Sequence, residues 1–394
     1  MGIKGEVYRG SSERVKLKEF VMPPRPSDIV VVGAGIVGCS VAYELARRGV
    51  SVQVVDERPA GMGATQASAG VLAPYIEAHE NSPFLDLAVR SLGLFDDLIE
   101  HVAADSGVAV SYRRTGTLNV AASDDALRTL RSTAALLTKR GVANELMDAQ
   151  TARGEEPHLA GDVLGGLLVP IHGFVIASEL TRALAAAARR YGAQLLEGGR
   201  VRRIARADGD LIVETERGTL TGNGVVLAAG SWSAQIEIEG VTVRPPVRPV
   251  RGQLLHIGWN GPALRRVTWS ERCYLVPWDD GTMLVGATVE EAGFDERATV
   301  AGVRDLLDAA CELTPHAWTA TFLTARVGLR PATSDDLPII GPSTVLPNLM
   351  YATGHYRNGV LLAPLSAQLV ADAMLDNRID PALAALSPSR FGRL

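Results

Sequence analysis

Ser27-Asp28-Ile29-Val30-Val31-Val32-Gly33-Ala34-Gly35-Ile36-Val37-Gly38 is the stretch that decides the fold. The β-branched run Asp28–Val32 reads as a short strand, and the glycines at 33, 35 and 38 open an amphipathic helix running to about Arg48. A second apolar run, Val52–Val55, follows Gly49; strands joined by such a helical crossover pair in parallel. In this context the three glycines form a dinucleotide fingerprint. Gly33 permits the tight turn, Gly35 lets backbone approach a pyrophosphate, and Gly38 allows close contact between helix and strand, while the helix start offers amide donors and a positive dipole end. Asp56 ends the second strand 23 residues after Gly33, where a carboxylate can accept hydrogen bonds from ribose hydroxyls. The fingerprint does not separate FAD from NAD. The mostly small residues of Gly61–Gly70 would let a flat ring lie against backbone, but a flexible loop fits the same composition.

Composition narrows the partners. The chain has 394 residues, longer than one hydrophobic core usually serves, so two intertwined domains are expected. Acidic residues outnumber basic ones by 44 to 39, which leaves no electrostatic footprint for nucleic acid or an anionic membrane and points to a small-molecule partner. Cys39, Cys273 and Cys311 are far apart and odd in number, as expected of free thiols in a reducing compartment. No signal-peptide core and no spanning apolar run is read, so a cytoplasmic protein without a membrane segment is expected. Residues 1–26 end in the Pro-rich stretch Met22–Pro26 and read as a disordered extension.

Further along, Ser82-Pro83 starts a helix predicted to run to about Ala104, and Ser111–Ala121 reads as strand interrupted at Gly116. A helix over Ala177–Arg190 precedes three strand-like runs, Val201–Ala205, Leu211–Thr215 and Val225–Leu227, with turns at Asp208-Gly209 and Arg217-Gly218. Residues 247–290 are strand-rich and Thr299–Leu313 is helical. Strands at Pro338–Ile340 and Met350–Thr353 precede a last helix from about Gly359 to Leu375. No paired-histidine metal spacing and no GxSxG elbow occurs; Ser231 and Ser233 are expected to cap a helix.

Several separated motifs then stand in a telling order: Gly63-Ala64-Thr65-Gln66-Ala67-Ser68-Ala69-Gly70-Val71-Leu72-Ala73-Pro74, Val225–Ser233, Pro249-Val250-Arg251-Gly252-Gln253, Cys273–Pro277, Val285–Val289, Gly328-Leu329-Arg330-Pro331 and Gly354-His355-Tyr356-Arg357-Asn358-Gly359. With the fingerprint, this set resembles the FAD-dependent amine oxidoreductases of the D-amino-acid oxidase superfamily, and among them the glycine oxidases, from Ser27 onward. The resemblance implies a mixed α/β (α+β) chain: a Rossmann-like FAD-binding domain in separate segments, 27–80, 160–246 and 321–394, and a substrate domain dominated by antiparallel sheet, 81–159 and 247–320. It implies that Ile36, Val37, Asp56, Glu57, Ala64, Thr65, Ala69, Gly70 and Val71 line FAD beside Gly33, Gly35 and Gly38, with Val201 at the adenine end. His355, Tyr356, Arg357, Asn358, Gly359, Val360 and Leu361 would cover the far end, where a helix start suits negative charge on the reduced ring. Some relatives tether the flavin through a cysteine near Gly328; its absence here implies noncovalent FAD.

An amino-acid carboxylate buried beside a flavin needs a fixed cation, and arginine's planar fork can bind both oxygens. The resemblance puts Arg330 in that role, at the end of a strand over Thr321–Leu329. Tyr274 would add a phenolic hydrogen bond, and Arg357 would meet the amine through its carbonyl. The implied reaction is FAD-dependent oxidative deamination of glycine or another small amino acid by molecular oxygen, feeding thiamine thiazole synthesis. D-amino-acid or sarcosine oxidation or dehydrogenation and a noncatalytic flavoprotein subunit stand as alternatives, and a homo-oligomer is left open. Ala73 and Val289 are read as small wall residues, and Arg272 as a position that could shift selectivity.

Overall fold

A computed structural model describes residues 27–76 and 83–394. The expectations for residues 1–26, for Ser82 and for the boundary between residues 80 and 81 lie outside these residues.

Ser27–Val32 and Val52–Asp56 are buried along nearly their whole length because both faces of the sheet they form are covered. Ser27–Val32 lies between Val52–Asp56 and Gly218–Leu227, parallel to both; Gln194–Glu197 and Leu349–Thr353 continue the parallel set outward. On one face pack the helices Ile36–Arg47, Ala177–Arg190 and Gly359–Leu375. Gly218–Leu227 is long enough to serve two partners: its second half belongs to the parallel sheet, and its first half turns back through Asp210–Thr215 to Val201–Ala207 as an antiparallel meander.

An eight-stranded sheet forms the second layer, in the order Thr321–Ala332, Arg248–Gly258, Thr282–Gly286, Tyr274–Pro277, Val267–Trp269, Thr117–Ala121, Gly165–Val169, Glu145–Asp148. All neighbours are antiparallel except Val267–Trp269 beside Thr117–Ala121. Helix Val300–Leu313 packs on this sheet through Leu306, Ala309, Ala310 and Leu313. Leu254, Val276 and Leu284 meet Ala69, Phe174 and Ile176 where the two layers join. Among the described residues no helix is long and apolar enough to cross a membrane.

The helices at 177–190 and 359–375 have the bounds that the sequence suggested. Four features differ. The helix expected from Pro83 to Ala104 is two, Pro83–Leu92 and Phe95–Ser106, separated at Gly93 and Leu94. Gly116, with φ of 81°, turns the chain so sharply that Tyr112–Arg113 and Thr117–Ala121 enter different sheets. Thr321–Ala332 runs through Arg330 and Pro331 instead of stopping before them; its partner Arg248–Gly258 carries Pro249 opposite Pro331. The division at 321 therefore cuts a strand of the substrate sheet away from its neighbours. Helices Pro83–Leu92 and Phe95–Ser106, assigned to the substrate domain, bury Leu87, Leu92 and Phe95 in the core of the dinucleotide domain.

Candidate active site

A cavity of about 1560 Å³ lies between the two layers. At one end its wall is the glycine loop. Gly33 has φ of 108°, and a Cβ on it would stand 2.4 Å from the carbonyl oxygen of Ala228; one on Gly38 would stand 1.9 Å from the carbonyl oxygen of Gly33. Gly33 therefore makes the turn possible, while Gly38 lies under the loop, outside the cavity wall, so that helix and strand can touch. Asp56 accepts from the amide of Ala34 at 2.7 Å and from that of Arg58 at 2.8 Å. Burial pushes its pKa up, against the pull of those two amides. Thr65 Oγ1 accepts from the Ile36 amide at 3.1 Å, which pins the small-residue segment to the helix start.

That segment is built for close approach. A Cβ on Gly70 would meet the Val175 carbonyl oxygen at 1.7 Å, and one on Gly328 would meet Ala67 Cβ at 2.8 Å. Gln66 Nε2 donates to the Val327 carbonyl at 2.7 Å, so the turn at 64–67 is fixed against the strand that carries Arg330. Gly328 offers no side chain for a covalent tether. The remaining sequence-derived cofactor positions, Gly35, Ile36, Val37, Glu57, Ala64, Ala69, Val71 and Val201, also line the cavity, as does the whole run His355–Leu361. Within that run His355 Nε2 lies 3.0 Å from Ser366 Oγ, and burial pulls its pKa down to about 4.

The opposite end is made of side chains from distant strands. Arg330, Tyr274 and Arg357 all face the same cavity, with Ala73, Val289, Trp269 and Arg272 around them. Tyr274 packs against Trp269 with ring centroids 4.5 Å apart and the planes tilted by 33°. Its ring crosses Gly286 of the neighbouring strand, where a Cβ would lie 2.4 Å from Oη; the Arg330 guanidinium crosses Gly252, where a Cβ would lie 2.3 Å from Nη1. The glycines in the Arg251-Gly252-Gln253 and Val285-Gly286-Ala287 motifs thus hold space for the two polar side chains. Arg330 Nη1 donates to the Thr288 carbonyl at 2.9 Å and to that of Arg251 at 3.4 Å. Arg357 stacks over the Tyr356 ring at 5.5 Å, and Arg272 is paired with Glu312.

Sequence reasoning missed part of the wall. Trp232 lines the cavity with Arg58 4.5 Å over its ring, and Arg58 makes a two-pronged bond to Glu296 at 2.9 and 2.7 Å. The expected caps are not caps: Ser231 Oγ donates to the Leu329 carbonyl at 2.9 Å, and Ser233 Oγ lies 2.7 Å from Thr353 Oγ1. Both hydroxyls are buried, so they bind whatever strand lies against them instead of the start of the short helix Gly230–Gln235.

A glycine loop between parallel strand and helix, with an acid closing the next strand, defines a dinucleotide-binding protein; the small residues that wall the cavity between Gly63 and Gly70 suit the flat ring of a flavin. The chain belongs to the family of FAD dependent oxidoreductases called DAO, which it matches over residues 28–373. It is an enzyme of that family and its cofactor is FAD. It is 33% identical to the glycine oxidase of Geobacillus kaustophilus over 88% of this chain and 92% of that protein. The crystal structure of glycine oxidase from that organism superposes with a TM-score of 0.88, covering 93% of this chain and 99% of the other. The chain is also 34% identical, over 93% of its length, to the bifunctional protein ThiO/ThiG of Synechocystis sp., of which it spans 54%, about half.

Proposed function

We propose that this chain oxidises glycine or another small amino acid at its Cα–N bond to an imine, which water converts to the 2-oxo acid and ammonia while oxygen is reduced to hydrogen peroxide. Bound FAD supplies the acceptor for the two electrons and the means of passing them to oxygen. The residues that would hold it are the loop at Gly33–Gly38, Asp56, the wall Ala64–Val71 and the run His355–Leu361. Arg330 binds the substrate carboxylate with its guanidinium fork, and the Tyr274 hydroxyl donates to the same group. The Arg357 carbonyl accepts from the amine. Once the amine is neutral its lone pair assists departure of hydride from Cα, so orientation by these groups supplies most of what the protein must contribute. Ala73 and Val289 wall this end with short side chains, which suits glycine and leaves room for a larger D-amino acid or N-methylglycine.

One observation carries the reading: Arg330 and Tyr274, each lying across a glycine, wall the same cavity as the dinucleotide loop. The likeness to the bifunctional protein ThiO/ThiG, of which the chain spans about half, supports a place in thiamine thiazole synthesis, with the imine as the product passed on. The test is an anaerobic visible spectrum of the purified holoenzyme with glycine, then sarcosine, then D-alanine. Bleaching by an amino acid, reversed by air with release of peroxide, is the expected result. Bleaching without peroxide would make the enzyme a dehydrogenase, and a yellow protein that no amine bleaches would overturn the proposal.

A further inference from the structure

We infer that Glu290, with Gln253 and Thr288, is a positioning residue that aims Arg330 at the substrate carboxylate; this rests on the reading of Arg330 given above. Beyond the strand Thr282–Gly286 the chain stays paired with Arg248–Gly258: the Thr288 amide donates to the Gln253 carbonyl at 3.2 Å and Arg251 and Glu290 exchange backbone bonds at 2.9 Å, while the Thr288 carbonyl accepts from Arg330 Nη1 at 2.9 Å. Side chains reinforce this pairing. Glu290 Oε1 accepts from Thr288 Oγ1 at 2.5 Å and from Gln253 Nε2 at 2.7 Å, while Glu290 Oε2 accepts from Arg251 Nη2 at 2.5 Å and Nε at 3.2 Å. Thr288 Oγ1 accepts in turn from the Gln253 amide at 2.9 Å. The other half of the Gln253 side chain is used as well: Thr299, at the start of helix Val300–Leu313, donates its amide to Oε1 at 2.9 Å.

This is a closed arrangement. Gln253 is fully buried, and the Arg251 guanidinium is nearly so, with Asp295 3.2 Å from Nη1 on its far side. Burial alone would raise the pKa of Glu290, but donation from Thr288, Gln253 and Arg251 outweighs it and holds the carboxyl below the usual range. Glu290 is thus charged wherever the enzyme would work, and with Asp295 it balances Arg251, while Arg330 Nη1 donates to the carbonyls of Thr288 and Arg251. Removing that charge unfastens Thr288 from its hydroxyl side and loosens the direction of the Arg330 fork.

The experiment is a double-mutant cycle on the holoenzyme with Glu290→Gln and Arg330→Ala, read by acetate binding through perturbation of the flavin spectrum, and by KM and kcat for glycine. Glu290→Gln alone is expected to weaken acetate and raise KM about tenfold, the scale of a hydrogen bond to a charged group, with kcat changed less than about twofold and FAD content retained. In the Arg330→Ala background it is expected to do nothing further to acetate. Equal losses in both backgrounds, or a fall in kcat with KM unchanged, would overturn the inference and leave the reading of Arg330 standing. Unchanged acetate affinity in Arg330→Ala alone would sink the reading of Arg330, and this inference with it. Should Glu290→Gln fail to hold FAD, Thr288→Val, which keeps the carbonyl and removes only the hydroxyl, decides by the same measurements.

Discussion

At its dinucleotide end the cavity is walled by backbone, and at its substrate end by side chains. Gly33, Gly38 and Gly70 leave no room for a Cβ because carbonyl oxygens stand within 2.4 Å of where it would be. Arg330 and Tyr274 need room of the opposite kind, and Gly252 and Gly286 on adjoining strands provide it. Glycine thus serves two purposes in one cavity. In the first it lets main chain approach main chain: Gly38 meets Gly33 within one loop, whereas Gly33 meets Ala228 and Gly70 meets Val175 across the fold. In the second it makes space for a functional group that arrives from elsewhere in the sequence, and the position of that group is set by contacts the local sequence does not contain.

The sharpest way to break the comparison is to add one methyl group at each end. Gly38→Ala places a Cβ 1.9 Å from the Gly33 carbonyl oxygen, with no flexible side chain to move aside, so the protein is expected to purify colourless or to be insoluble. The ratio of flavin to protein absorbance checks it. Gly252→Ala pushes only on the end of the Arg330 side chain, so FAD should be retained while glycine turnover falls. If Gly252→Ala also loses flavin, the two ends are not built on different terms.

Removal of Arg330 comes next in size. Truncating one partner of a buried charge pair costs roughly a hundred- to a thousandfold, so Arg330→Ala should lower kcat/KM for glycine by about that factor. The Arg330→Lys variant should recover only part, because an ammonium cannot present the fork. Steady-state kinetics of holoprotein with matched FAD content settles it, and a loss under tenfold would remove Arg330 from the substrate end.

The same contrast explains what could be read from the sequence. Ser27–Asp56 is legible because strand, loop, helix and strand are consecutive and each glycine has a local reason. Helix Ala177–Arg190 is legible from its apolar periodicity, and Gly359–Leu375 from an apolar run too long for a strand. Arg330 and Tyr274 entered through ordered motifs shared with a family, whereas the reason for Gly252 and Gly286 became visible only when sheet register placed them under those side chains. Trp269 and Glu290 carried no local signal, and Trp232 lay in a shared motif without a role read for it; each matters through a partner from another part of the chain. The strand through Pro331 was missed because proline usually ends a ladder, and here the proline opposite it removes the conflict.

A smaller effect separates the two ends by pH. His172 lies at the substrate side, where the Tyr75 amide donates to its Nε2 at 3.3 Å and Thr117 Oγ1 lies 2.8 Å from Nδ1; His355 lies under the flavin-side helix. Burial, with Arg114 adding to it for His172, pulls their pKa values down to about 3 and about 4. An unfolded histidine titrates near pH 6.5. Above that pH both contributions to stability are complete. As pH falls below it the unfolded chain takes up protons that the folded one refuses, so stability should decline progressively to about pH 4 for His355 and about pH 3 for His172. Melting temperatures from pH 7.5 to 5 should fall in the wild type. They should fall less steeply in His355→Gln and His172→Gln; parallel slopes would mean that neither ring is held neutral.

The smallest expected effect concerns a place where the substrate layer reaches across to the dinucleotide end. Glu296 and Phe294 belong to the segment that follows Thr288 and Glu290; Glu296 bonds Arg58, and Phe294 packs 5.9 Å from Trp232. Both Arg58 and Glu296 are about a third exposed, at 33% and 29%, so solvent screens the pair and its worth is modest. The cation over Trp232 adds a contribution of the same order. Arg58→Ala should therefore weaken FAD about two- to tenfold, measured by fluorescence titration of apoprotein, and leave KM for glycine within about twofold. If KM for glycine instead rose in step with the loss of FAD affinity, the segment 288–296 would be transmitting strain from one end of the cavity to the other, and the separation into a backbone end and a side-chain end would describe the walls without describing how they respond.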